Sequence, residues 1–237
     1  MRVDSQPAYV LHTRNFRDTS LLVEVITADY GRISLVAKGA RGSGKAAKHK
    51  RALIQPFNPL IISFSGKSEL KTLTALEPYT TALSLEGKKL FSAFYVNELL
   101  TRLLQPGDEQ PEIYTLYEWV LQSMSQLQND ADDIEITLRR FELKLLEYLG
   151  YGFDFSADIE TGAEILPDTI YRYEVNRGFT VLTDQELGQV CFSGKEILAI
   201  GSGEFDQNNK KAAKRLCRLA LKPHLGDKPL KSRELFI

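Results

Sequence analysis

Over the first 80 residues apolar side chains tend to recur at every second position, and beyond Glu77-Pro78 they recur every three to four. A period of two belongs to strands and a period near 3.6 to helices, so this chain must build two different kinds of layer. Residues 8–13, 20–27 and 32–37 alternate, are rich in β-branched side chains, and are separated by turn residues at 15–18 and 29–31. Strand signals resume at Leu53-Ile54, at 60–64 and at 70–76, with Pro56 and Pro59 marking an edge or corner. Five or six short strands within residues 1–80 predict a small closed barrel, and the OB-fold is the commonest nucleic-acid barrel of that size.

Helical spacing then dominates. Residues 83–104 carry Leu90, Phe94, Val96, Leu99, Leu100, Leu103 and Leu104 along one face, and Gln105-Pro106-Gly107-Asp108 ends the run. A second helix is predicted over 111–128. A third starts near Asp132-Asp133, passes through Ile134, Leu138, Phe141 and Leu145, and stops at Gly150-Tyr151-Gly152. Residues 151–207 mix a polar loop, strand pieces at 169–173 and 178–181 and a short helical stretch at 195–200. A final helix over 208–222 turns Ala212, Ala213, Leu216 and Leu219 inward and Lys211, Lys214, Arg215, Arg218 and Lys222 outward. The expectation is an α+β chain: an OB barrel over 1–80, then a mainly helical domain over 81–237 with an irregular region at 151–207.

Net charge is −1, but the charge is segregated. Residues 1–80 carry +6, residues 81–207 carry −14 and residues 208–237 carry +7. Between Tyr30 and Ser68 there is no acidic residue, yet Arg32, Lys38, Arg41, Lys45, Lys48, Lys50, Arg51 and Lys67 all lie there. A flexible, glycine-containing basic loop on a β scaffold suits a polyanion, because phosphates gain Coulomb energy and release counterions. The alternative is a solvated loop whose charge only aids solubility.

Several chemistries find little support. Gly39-Ala40-Arg41-Gly42-Ser43-Gly44-Lys45 fits the phosphate-loop pattern, but Ala46 stands where a Ser or Thr hydroxyl must ligate Mg²⁺. The run Lys48-His49-Lys50-Arg51 is also a poor first turn for a buried helix. His12, His49 and His224 fall in separate segments, and Cys191 and Cys217 cannot form a metal cage. No nucleophile motif is present, so no catalytic residue, metal or cofactor is expected. The start of the chain lacks the apolar core of a signal peptide, and no apolar run is long enough to span a bilayer, so a reducing cytoplasm and no membrane are expected. Tyr9, Phe16, Tyr30, Phe57 and Phe64 are candidates for base stacking, although each could equally be core. Arg139 and Arg140, beside Leu138 and Phe141, could clamp a carboxylate at the rim of an apolar pocket. A local pair between Glu135 and Arg139 is the alternative.

Taken in order, several stretches resemble the RecO family of recombination mediators. They are 8–14, 31–41, Gln55-Pro56-Phe57-Asn58-Pro59-Leu60, Asn97-Glu98-Leu99-Leu100, Leu138-Arg139-Arg140-Phe141-Glu142-Leu143, Leu149-Gly150-Tyr151-Gly152, Leu221-Lys222-Pro223-His224-Leu225 and 228–235. The resemblance implies an N-terminal OB-fold and a helical second domain. It also implies binding of single- and double-stranded DNA with strand annealing, rather than catalysis. Partnership with RecR and with the acidic tail of the single-strand binding protein follows in the same way, as does loading of the recombinase in a cytoplasmic, nucleoid-associated setting. On that basis Arg32, Lys38, Arg41, Lys45, Lys48, Lys50, Arg51, Lys214, Arg215 and Arg218 are expected to face DNA. Arg139, with Arg140, Leu138 and Phe141, is expected to take the acidic tail. Many family members carry a four-cysteine zinc module after the Leu-Gly-Tyr-Gly segment; residues 153–164 contain no cysteine, which puts bound zinc in doubt. An OB-type RNA-binding or ribosome-associated factor is the alternative.

Overall fold

In the computed structural model, which describes residues 1–128, 131–183, 190–206 and 208–236, the alternating segments close into a five-stranded barrel. Its strands are β1 (Arg2–Phe16), β2 (Ser20–Thr27), β3 (Gly31–Ala37), β4 (Pro59–Ser65) and β5 (Leu70–Pro78), arranged β1-β2-β3-β5-β4. Only the β3–β5 pair is parallel. This is the OB-fold expected from the pattern. Val10, Val23, Val25, Leu35, Leu60, Ile62 and Phe64 fill the interior.

The basic excursion differs from the loop expected. Residues Lys45–Leu53 form helix α1, which takes in Leu53, anticipated as strand. Three alanines and four cations give adequate helix propensity, and Lys50 and Arg51 lie in the last turn, where the dipole favours cations. Only Ala47 is fully buried, with Leu53 packed part-buried against the barrel core, and the helix presents Lys45 and Lys48 outward.

Helices α2 (Gly87–Leu103) and α3 (Pro111–Gln126) and a closing 3-10 turn (Lys231–Phe236) pack with the barrel in one compact unit, Met1–Asn129 with Pro229–Ile237. Asn97 on α2 shows why. The register of β1 slips between Val10 and His12, which leaves Leu11 outside the ladder with β2. Asn97 Nδ2 donates to the Leu11 carbonyl at 2.9 Å, and its Oδ1 accepts from the Tyr117 hydroxyl of α3 at 2.7 Å. A buried carbonyl is thereby satisfied and three elements are joined. Glu98, next in sequence, accepts from the Lys231 and Ser232 amides and the Ser232 hydroxyl, with Arg102 beside it at 2.7 Å. Gly31 begins β3 at φ +57°, and a Cβ there would stand 1.8 Å from the Asp108 carbonyl oxygen. No other residue fits that crossing.

The second unit, Asp130–Lys228, contains α4 (Ala131–Tyr148), a three-stranded sheet β7-β6-β8, α5 (Gly194–Gly201) and α6 (Lys210–Leu225). Its strands are β6 (Ile170–Glu174), β7 (Gly178–Val181) and β8 (Cys191–Ser193). Of the irregular region, residues 184–189 and 207 lie outside those described. Phe153, Phe155, Tyr173, Phe179 and Phe192 pack as one aromatic cluster, with neighbouring centroids 5.0–6.0 Å apart.

Where the resemblance would place zinc ligands, a carboxylate ties the loops instead. Asp158 is buried and accepts from the amides of Glu160, Thr161 and Val181 and from the Thr161 hydroxyl, at 2.8–3.0 Å. Both its oxygens are thus occupied by protein hydrogens, and the segment holds no thiolate, so a zinc ion does not fit this donor set. Burial opposes ionisation of Asp158, but those four donors outweigh it and bring its pKa down to about 2 from 3.8. A carboxyl that is more acidic in the folded chain stabilises it above pH ~4 and loses that contribution as pH falls towards 2. Asp158→Ala should cost about 2–3 kcal/mol at pH 7, and roughly half as much by pH 3. Urea denaturation of both proteins across that range checks this, and a pH-independent difference would assign the cost to packing.

Candidate nucleic-acid interface

The excursion between β3 and β4 meets the β1–β2 turn. Arg41 donates its amide to the Thr19 carbonyl at 2.8 Å and its Nη1 to the Arg17 carbonyl at 3.1 Å. Lys50 Nζ donates to the Lys38 carbonyl at 3.3 Å, and Arg51 Nη1 approaches the Gly42 carbonyl at 3.5 Å. Carbonyls orient Arg41, Lys50 and Arg51 without neutralising them. None of Lys38, Arg41, Lys45, Lys48, Lys50 and Arg51 forms an ion pair with a described residue. Lys38, Arg41, Lys45 and Lys48 are exposed, and Lys50 and Arg51 are half-buried. The turn contributes Arg17, which is exposed, with its guanidinium 5.2 Å from the centre of the Phe16 ring, and Arg14, also exposed, lies two residues before Phe16 on β1. Sequence reasoning passed over both, because they lie outside the acid-free stretch; only the Arg41 contacts bring Arg17 to it.

Arg32 does not belong to this set. Its Nη1 sits 2.8 Å from Glu24 Oε2, its Nε donates to the Leu104 carbonyl, and Ser34 donates to the other Glu24 oxygen. With both side chains only 14% exposed, the pair is internal to the barrel wall. Of the five aromatic candidates, Tyr9, Phe57 and Phe64 are buried, and Tyr30 packs edge-on to Phe64. Phe16 alone sits at the surface among the cations.

On α6 the expected basic face is partly neutralised. Lys214 pairs with Glu135 at 2.5 Å and Lys210 with Asp132 at 2.7 Å, both acids of α4. Arg215 donates to the Cys191 carbonyl at 2.7 Å and stands 4.5 Å over Phe192. Arg218 is exposed.

The four residues expected to take an acidic tail separate. Leu138 and Phe141 are core. Arg139, 5% exposed, is bonded to Glu142 at 2.8 Å within α4, a different partner from the Glu135 considered above. A buried, paired guanidinium is not presented to a ligand. Arg140, one residue on, points the other way: it is exposed, with its guanidinium 5.7 Å from the centre of the Phe205 ring. It lines a hollow of about 630 Å³ together with Leu143, Lys144, Phe155 and Phe205. Lys144 is bonded there to Glu147 at 2.8 Å.

Among the described residues, no group of three or more His, Cys, Asp and Glu side chains is placed to hold a metal, and no helix is long and apolar enough to cross a membrane.

Comparison with known proteins covers nearly the whole chain. Residues 1–82 match the family model described as "Recombination protein O N terminal", and 85–234 match "Recombination protein O C terminal". That division lies between the barrel and α2, whereas the compact units divide near residue 129. The chain is 42% identical over 237 residues to the DNA repair protein RecO of Cellvibrio japonicus, covering 100% of this chain and 98% of that one. It is 44% identical over 232 residues to the protein of the same name from Vibrio cholerae, covering 98% and 92%. The same identity holds over 229 residues with that of Actinobacillus pleuropneumoniae, covering 96% and 92%. With an OB barrel, a helical region and matches at this level from end to end, the chain belongs to the RecO family of DNA repair and recombination proteins.

Proposed function

We propose that this chain is a non-catalytic mediator that binds single- and double-stranded DNA through the barrel, anneals complementary strands and helps load recombinase onto coated DNA. The observation that carries the reading is the state of the excursion: six cations, Arg41, Lys50 and Arg51 among them oriented by carbonyls and none of the six paired with a described acid, beside a turn that adds Arg17. Such a surface reads phosphate rather than base edges, and so accepts either form of DNA. Annealing then requires no bond chemistry. Neutralising two strands on one surface lowers their repulsion, and base pairing supplies the free energy.

The hollow beside Arg140 supports a role for the acidic tail of the single-strand binding protein. The Arg140 guanidinium rims an aromatic floor, with the Lys144 ammonium beside it paired to Glu147, which suits a carboxylate following an apolar side chain. Partnership with RecR and action in the cytoplasm at the nucleoid rest on family membership alone.

Annealing of complementary strands coated with single-strand binding protein, with and without its tail, tests the reading. Annealing should be fast with the intact tail and slow without it. Arg140→Ala should reproduce the slow rate and weaken an acidic, Phe-terminated peptide about tenfold in calorimetry, the ~1.4 kcal/mol of one charge-assisted bond. Annealing that is indifferent to tail and variant alike would remove the hollow from the mechanism.

A further inference from the structure

We infer that one wall of the barrel, where β1, β4 and β5 meet α3, carries an acidic, aromatic docking site for an arginine-bearing basic segment of a partner protein. None of its residues belongs to the excursion or to the β1–β2 turn, so it stands apart from DNA binding.

Strand register builds one half of the site. Tyr9 on β1 pairs with Pro59 on β4, and the Pro59 carbonyl accepts from the Tyr79 amide at 2.9 Å. Tyr9 and Tyr79 thus flank one residue, and Glu77 on β5, opposite Ile61, lies two positions along on the same face. Helix α3 builds the other half. Tyr114 and Glu118 are one turn apart, and Tyr114 and Tyr117 pack against the Tyr9 ring with centroids 5.9 and 5.2 Å away. The Tyr9 hydroxyl donates to Glu118 Oε1 at 3.2 Å, and the Tyr114 hydroxyl bonds the same carboxylate. Burial first, and then the Glu118 charge, raise both phenols above the usual tyrosine range, so they keep their protons and remain donors.

Three features select the ligand. The first is uncompensated negative charge. Phenols orient the Glu118 carboxylate without cancelling its charge, and among the described residues neither it nor Glu77 forms an ion pair. No lysine or arginine occurs in residues 72–87 or 103–138, and a face of this sign repels nucleic acid. The second is exposed aromatic surface: Tyr79 is 57% exposed, and Trp119, beside Glu118 in the chain, is 37% exposed. Tyrosine and tryptophan anchor protein interfaces, and their ring faces attract cations. The third is extent. Glu112, Thr115, Trp119 and Gln122 continue the exposed strip along α3, over about 15 Å, which suits a peptide segment rather than a single small cation. Arginine meets charge and ring together, because its planar guanidinium forks onto a carboxylate and stacks on an aromatic face, whereas lysine offers a point charge.

Trp119 is the only tryptophan, so its fluorescence reports the site directly. The full chain is titrated with a capped peptide of alternating arginine and glycine, and with its lysine and glutamate counterparts. The arginine peptide should shift the emission and bind more tightly than the lysine peptide, and the glutamate peptide should leave the emission unchanged. Glu118→Gln, which can still accept from both phenols, should weaken the arginine peptide about tenfold, as expected for one charge-assisted contact. Tyr79→Ala, at an exposed position, should weaken it about fivefold, and Tyr79→Phe, which keeps the ring, should restore it. Glu164→Gln, an exposed acid of the second unit, should change nothing. Every variant should bind single-stranded DNA within about twofold of the parent, since separate sites act independently. Should Glu118→Gln fold poorly, the Tyr79 pair of variants carries the comparison. No response to the arginine peptide, lysine and arginine peptides bound alike, unchanged affinity in Glu118→Gln and Tyr79→Ala, or an equal loss in Glu164→Gln would overturn the site. A DNA affinity that falls with that of the peptide would overturn its separation from the DNA interface.

Discussion

Glu142→Ala is expected to destabilise the unit built around α4 by about 3–5 kcal/mol, because it removes the carboxylate bonded to a buried guanidinium. Glu142 is 1% exposed and Arg139 6% exposed at the side chain, and they meet at 2.8 Å. Cys217 of α6 lies against them. Burial first, and then the Glu142 charge, push its thiol well above the usual range, while Arg139 acts in the opposite sense. Replacing both members, Arg139→Leu with Glu142→Leu, should recover most of the loss, since a matched apolar pair is often no worse than a buried ion pair. Urea titrations of the single and double variants give the comparison, and a double variant no more stable than Glu142→Ala would show that the pair is not an isolated electrostatic unit. The same logic bears on the acidic tail. Arg139→Ala should lower the melting temperature and weaken the tail only through unfolding, whereas Arg140→Ala should weaken the tail at an unchanged melting temperature.

The second large effect concerns the excursion. Replacing Lys45, Lys48, Lys50 and Arg51 together with alanine should weaken single-stranded DNA on the order of a hundredfold at low salt and flatten the dependence of log K on log salt by about three units. Stability should hardly move, because none of the four forms an ion pair with a described residue and their helix buries only Ala47. Alanine also raises helix propensity slightly. A salt slope equal to that of the parent would mean that phosphates are neutralised elsewhere, with the α6 cations Lys211, Arg218 and Lys222 next to be tested.

The barrel and the helices were legible because each is a local period. Residues 111–126 and 178–181 fold as their patterns predict, to within a couple of residues at each end. The excursion's charge was equally plain, but its conformation was not: with glycines at 39, 42 and 44 and no side-chain cap, α1 carries few of the usual start signals.

Sequence alone determined the order of layers, the segregation of charge and the family, because periodicity, composition and ordered motifs are properties of the chain itself. Which cations remain available was decided by tertiary structure. Arg32 meets Glu24 across β2 and β3, Lys214 meets Glu135 between α4 and α6, and Arg139 turns inward while Arg140 turns out. A charge is neutralised by whatever lies within a few ångströms of it, and for residues far apart in the chain that distance is set only by folding.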